Sequence, residues 1–209
     1  MSVFRPLLLV GLVAGSAVAC QSTTEPPLVV DYCARIDSIR PTLALSAPIG
    51  SPRYEEILAA RAIPGGYGGR FSALGGQFFL VLRDTAQSSA ARAALAEAVG
   101  CGALAFEQHP SQFLSARIQP GRYDAEQLID FGDVTSGSTG NLGACVIYVS
   151  WPENVVVVWV PDEAHRVTVQ GAAEAAGVPS DALFVEVRSC PSGVSTSVPN
   201  QHLQLTAAR

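Results

Sequence analysis

The sequence predicts an α/β (α+β) protein made of two tandem hairpin-helix-strand units, each a small, mainly antiparallel sheet with a helix on one face. Three observations carry this reading. Apolar or alternating runs come in pairs, 67–72 with 77–83 and 145–150 with 155–160. Each pair leads to an aspartate, Asp84 or Asp162, which opens an alanine-rich stretch closed by a glycine, Gly100 or Gly177. One further alternating run follows each stretch, at 113–118 and at 182–188.

The elements follow in order. Gln77 to Arg83 is a short apolar run between Gly75-Gly76 and Asp84, the pattern of a buried strand after a tight turn, and Tyr67 to Ser72 fits as its hairpin partner. Asp84 or Thr85 caps a helix over 86–99, with Ala91, Leu95 and Ala98 on one face and Gly100 just past its end. Phe113 to Ile118 alternates and reads as a third strand, and Tyr123 to Phe131 as a short helix. In the second unit Trp151-Pro152-Glu153-Asn154 is a turn between two strands, the latter the β-branched run 155–160. Asp162 caps a helix over 163–176, Gly177 and Pro179 stop it, and Ala182 to Arg188 is the last strand.

The amino terminus reads as an address. One positive charge, Arg5, precedes an apolar run from Pro6 to Val13 and the small residues Ala17-Val18-Ala19 before Cys20. This is the pattern of a bacterial export signal over 1–19, too short for a membrane span of about 20 apolar residues. The end resembles a lipobox, with Cys20 the expected attachment point of diacylglycerol and palmitate-type acyl chains, although Ala17-Val18-Ala19 also satisfies the general signal peptidase. Residues 20–30 then form the anchor and a polar tether, 31–62 an N-terminal segment, 63–190 the two-unit domain and 191–209 a flexible tail. Gln21 is not the aspartate that retains lipoproteins at an inner membrane. The expected location is the cell envelope, at the outer membrane of a Gram-negative cell; a periplasmic or secreted chain is the alternative.

With Cys20 assigned to lipid, Cys33, Cys101, Cys145 and Cys190 remain, an even number suited to an oxidising compartment. If the strands of the second unit run up, down and, after the helix, down again, Cys145 and Cys190 lie at the same level. They are expected to pair, and Cys33 with Cys101 follows by elimination. None of the four has zinc-ligand spacing, and no metal or cofactor is expected.

Composition narrows the partners. The 209 residues are 48% hydrophobic and 15% charged, enough for one good-sized core and too few charges for a disordered chain. All 13 cationic side chains are arginine, so lysine Schiff bases and a P-loop lysine are excluded. At a net charge of −5 with scattered arginines there is no footprint for nucleic acid.

Gly65-Gly66-Tyr67-Gly68-Gly69, the strand ending in Asp84, the alanine-rich helix, and Ser150-Trp151-Pro152-Glu153-Asn154 followed by Val155 to Val158 resemble the pro-regions of bacterial serine proteases of the alpha-lytic and streptogrisin type. The resemblance spans roughly 63–189. It implies two small α/β units and a role in folding and inhibiting a protease. The chain ends at Arg209 without a protease domain, so the expectation is action on a separate exported serine protease, or a repurposed binding module. The alternatives are an envelope lipoprotein with a structural or ligand-binding role and, third, a hydrolase.

Catalysis is not expected. No serine lies in a Gly-Asp-Ser-Gly-Gly or Gly-x-Ser-x-Gly context. His109, His165 and His202 read as unrelated surface residues. Glu55-Glu56 and Asp124, Glu126 and Asp130 read as solvated helix faces, lacking the dense carboxylates of a calcium loop. The glycines around Tyr67 precede a strand, unlike a dinucleotide loop, and read as a bulge or a close backbone approach. Trp151, Trp159, Phe78, Phe79 and Phe113 read mostly as core.

Overall fold

The computed structural model describes residues 30–43, 51–139 and 142–190. The signal, Cys20, most of the tether, His202 and the tail 191–209 lie outside the described residues. Helix α1 (Tyr32–Ile39) starts at Asp31, whose carboxylate accepts the Ala34 N–H at 2.9 Å. Helix α2 (Pro52–Ala62) starts at Ser51 with Pro52 in its first turn. Strands β1 (Tyr67–Ser72) and β2 (Phe78–Leu82) form an antiparallel hairpin. Its register shifts between Tyr67 and Gly69, where Gly69 adopts φ +118°, so this glycine pair makes a bulge.

Asp84 accepts the Ala86 N–H at 3.0 Å and opens a single 3-10 turn that runs into helix α3 (Ser88–Gly100). Gly100 is the last helical residue rather than the one past the end; Gly102, at φ +79°, takes the left-handed position expected for Gly100.

The expected strand over 113–118 is corrected. Pro110–Ser115 is a short helix, α4, and the strand β3 is Arg117–Pro120. Pro110 supplies the helical φ, His109 and Gln112 form a reciprocal cap, and the buried pair Phe113 and Ala116 has the i, i+3 spacing of a helical turn, while the alternation Leu114, Ala116 and Ile118 is what suits a strand.

Helix α5 (Ala125–Thr139) runs well past the expected Phe131. Asp124 accepts the Gln127 N–H and Gln127 accepts the Asp124 N–H, a capping box. Beyond Gly132 its propensity is poor; packing against α2 and the second sheet sustains it. The second sheet comprises β4 (Val146–Ser150), β5 (Val155–Val160) and β6 (Leu183–Val187), with helix α6 (Glu163–Ala175), capped by Asp162, between the last two. Gly177 closes α6 at φ +86°.

The orders are β1-β2-β3 and β4-β5-β6. In each, the first pair is an antiparallel hairpin and the third strand lies parallel to the second after its helical crossover. The chain is thus mixed α/β with two three-stranded sheets, each helix-backed.

The segment 31–62 belongs to the first half's core. Ile36, Tyr54 and Leu58 join Leu80, Leu82, Leu95 and Phe113 in one apolar cluster. A smaller cluster in the second half joins Val156, Val158 and Val160 to Leu128 of α5 and Val169 of α6. Disulfides join Cys33 to Cys101 and Cys145 to Cys190, with Cα atoms 6.6 and 5.5 Å apart. These are the two pairs to which the strand directions and elimination point. Among the described residues no helix is long and apolar enough to cross a membrane. Disulfides of this kind suit an extracytoplasmic compartment.

Candidate protein-binding surface

The β4–β5 turn is where the two halves meet. A hairpin turn of this length needs a residue at positive φ, and Asn154 supplies it at φ 55°, a region asparagine tolerates better than most residues. Its side chain then reaches the loop between β3 and α5. Oδ1 accepts the N–H groups of Arg122 and Tyr123 at 2.6 and 2.7 Å, while Nδ2 donates to the Tyr123 carbonyl at 2.9 Å. Asn154 is buried, so these bonds satisfy backbone groups that water does not reach.

Trp151, from the same turn, lies on Gly69. A Cβ at Gly69 would overlap the indole, which explains a glycine here beyond its dihedral. Gln119 donates to the Pro152 carbonyl beside it. The close backbone approach expected of the glycine cluster therefore has a defined object, the turn of the other half.

The second sheet packs one face on helices and leaves side chains at the flanks of the other partly accessible, with Val157 buried between them. Alternation sends Val156, Val158 and Val160 toward α5 and α6. The opposite face carries the cross-strand row Tyr148, Val157 and Phe184, and next to it Val146, Trp159 and Glu186. Phe184 is 54% exposed, Trp159 and Tyr148 are half-buried and meet edge to face with centroids 6.1 Å apart. Arg188 lies over the Trp159 ring, 4.7 Å from its centroid, and pairs with Glu186. Among the described residues no helix packs on this side. Core packing thus accounts for Phe78, Phe113 and Trp151 but not for Trp159.

The carboxylates need one correction. Glu55 and Glu56 are buried, 2% and 5% exposed, not solvated. Glu55 accepts the Ala105 N–H at 3.0 Å. Glu56 accepts the Tyr67 hydroxyl at 2.7 Å and pairs with Arg70, whose guanidinium also bonds Gln108 and lies 3.6 Å from the Phe106 ring centroid. Burial pulls Arg70 down to about 10, opposed by the Glu107 and Glu55 carboxylates, so it stays charged at neutral pH. Burial likewise pushes the Tyr67 phenol well above its ordinary range. A hint was present in the sequence: helix 52–62 has Tyr, Ile, Leu and Ala around its carboxylates, leaving no wide polar face.

Asp124, Glu126 and Asp130 do lie toward solvent, but with structural partners. Asp124 caps α5, Glu126 binds Arg61 of α2 at 2.9 Å, and Arg53 of α2 pairs with Asp133. Burial and the neighbouring Glu126 hold the Asp130 carboxyl above its ordinary value, against the pull of Arg53 and Arg61.

The histidines are separate. His109 caps α4, its Nδ1 2.9 Å from Ser111 Oγ, and His165 meets Asp162 at the start of α6 at 2.7 Å. The bond to His165, first from its backbone, lowers the Asp162 carboxyl. No carboxylate orients the exposed His109–Ser111 contact among the described residues. Asp31, Cys33 and Glu97 converge within 4.8 Å, but the Cys33 sulfur is in a disulfide, Asp31 caps α1, and Glu97 accepts the Tyr32 N–H. A shallow depression beside the turn is lined by Arg122, Tyr123, Glu153, Asn154 and Asp181. Its polar groups are already paired with one another or with Ser150.

No protein-family model matches the chain, and no curated protein is significantly similar to it.

Proposed function

We propose that this is an exported, lipid-anchored protein-binding domain that acts on a separate chymotrypsin-like protease, as inhibitor or folding assistant. The observation that carries the reading is the helix-free face of the second sheet, where Tyr148, Trp159 and Phe184 remain accessible beside Arg188. Contiguous aromatic residues with an arginine are the composition of protein-binding hot spots. Further support comes from the segment 150–158, which carries the resemblance to protease pro-regions and here forms the turn that binds the two halves together.

On this reading Cys20 carries the lipid and holds the domain at the envelope, at the outer membrane in a Gram-negative cell. The segment 191–209 follows Cys190, which is bonded to Cys145 at the start of β4, and the Cys145 N–H donates to the Trp159 carbonyl at 2.8 Å. Cys190, the last described residue, thus sits by the edge of the aromatic face, and on this reading the segment that follows it is the element that reaches a protease cleft.

The test is a titration of residues 21–209, with and without 191–209, against the chymotrypsin-like proteases exported by the same cell. Saturable inhibition or faster refolding of one protease is expected, weakened by the truncation. Full inhibition by the truncated form removes the tail from the mechanism, and no effect on any such protease removes the protease reading. Radioactive fatty-acid labelling of the wild type and of Cys20→Ala tests the anchor separately.

A further inference from the structure

The first sheet has an uncovered end of a different character. From Phe71 to Phe79 the chain reads Phe-Ser-Ala-Leu-Gly-Gly-Gln-Phe-Phe, without a charge. This is the β1–β2 turn, and Leu74 in it is 85% exposed, more than any other large hydrophobic side chain among the described residues. The turn closes its own backbone: Ala73 N–H donates to the Gln77 carbonyl at 2.8 Å and Gly76 N–H to the Ala73 carbonyl at 3.1 Å. Those groups would not be stranded in a less polar medium.

Behind the tip, on the helix-free face, lies the row Phe71, Phe79 and Arg117. The two rings stack with centroids 4.9 Å apart, and both are half-buried. Arg117 is exposed and has no ion pair among the described residues. The next row, Gly69, Val81 and Gln119, is covered by Trp151 and Pro152, so the cover stops one row short of the tip. An apolar apex, with aromatic rings and an unpaired cation level with each other one step behind it, suits a membrane interface, the apex at the acyl boundary and the row at the anionic headgroups.

We propose that this hairpin tip dips into an anionic lipid surface, with Leu74 at the acyl boundary, Phe71 and Phe79 at headgroup level, and Arg117 against a lipid phosphate. The inference rests on the membrane-anchored reading for its setting: one leucine and two rings hold a free chain weakly, and they orient a chain that is already tethered. In an acidic protein the contact is local, since the rest of the surface is repelled by anionic lipid.

The experiment uses untethered residues 21–209 and vesicles of phosphatidylcholine with one-third phosphatidylglycerol, partitioning being read by sedimentation at high lipid concentration. Weak partitioning is expected for the wild type. Leu74→Ser should reduce it about tenfold, from the loss of one buried leucine. Arg117→Gln should reduce it about fivefold, and only with the anionic lipid. Leu74→Trp should gain emission that brominated lipids quench, whereas the native Trp151 and Trp159 of the wild type are not quenched. Near-ultraviolet circular dichroism verifies the fold of each variant. Partitioning indifferent to Leu74 and Arg117, or a self-association that Leu74→Ser abolishes in the absence of lipid, overturns the proposal. Because no acyl chain is involved, failure here is separate from failure of fatty-acid labelling at Cys20.

Discussion

The two halves share one plan and finish it differently. Both are a hairpin, a capped helix and a parallel third strand, yet the first sheet is backed by α1 to α4 around one large core that Ala125 and Ile129 of α5 also enter, while the second has α6 and the other side of α5 around a smaller one. On the other side the first sheet receives Trp151 and Pro152 over the row Gly69, Val81 and Gln119, and among the described residues the second receives no helix. The difference teaches how one plan can be finished in two ways: the first half adds the preceding helices to its core, and the second leaves Tyr148, Trp159 and Phe184 partly accessible on a side without a helix. Asn154 and Trp151 transmit the order of the first to the second.

The first half should be the more vulnerable to loss of a buried charge. Glu56→Ala leaves Arg70 buried and the Tyr67 hydroxyl without its acceptor, and should cost about 3–5 kcal/mol in urea unfolding. Replacing both members, Glu56→Leu with Arg70→Met, should cost much less, because no charge is then stranded. Equal losses for the single and double variants would show that the pair is not the source.

Removing either disulfide by paired alanines should cost about 2–5 kcal/mol. The first closes a separation of 68 residues and the second of 45, so chain entropy alone separates them by only about 0.4 kcal/mol. A much larger loss on one side would reveal which half needs the covalent tie beyond its packing.

At the junction, Asn154→Ala should cost about 1–3 kcal/mol, from unsatisfied backbone groups at Arg122 and Tyr123 and from the left-handed residue. Asn154→Gly recovers the dihedral but not the bonds, so it should sit between the two. Full recovery by glycine would mean that the turn, and not the clamp, is what matters.

The smallest effect concerns Asp130, at the α2–α5 contact. Its carboxyl is raised, so the folded protein binds that proton more tightly than the unfolded chain. The contribution is present below the ordinary 3.8 and is lost as pH rises through the folded value. Asp130→Asn should therefore raise the thermal midpoint slightly at pH 7 and leave it unchanged in acid; a fall at pH 7 would contradict the sign.

How much of this was legible in the sequence depended on whether local chemistry or tertiary cover decides. Asp84 and Asp162 cap helices because the cap is a contact of near neighbours, and the strands 67–72 and 155–160 fall where their residue types put them. Phe113 and Ala116, at helical spacing, did not reveal a helix, since the same six residues also place Leu114, Ala116 and Ile118 at the strand period. Glu55 and Glu56 looked like surface residues because their burial depends on Arg70 and on the 103–108 loop, distant in the chain. The Asn154 turn was visible, but its grip on Tyr123 was not. The aromatic face was visible as residues, and only the sheet register showed that Tyr148, Trp159 and Phe184 share a side without cover.

The claim that the second half is the binding half is tested most directly by the double variant Trp159→Ser, Phe184→Ser in the protease titration, with unfolding measured on the same sample. The account predicts that inhibition or refolding activity weakens at least about tenfold, as for two hot-spot side chains, while far-ultraviolet dichroism and the response of the first half's core to urea stay close to wild type. Undiminished activity from a folded double variant would contradict it.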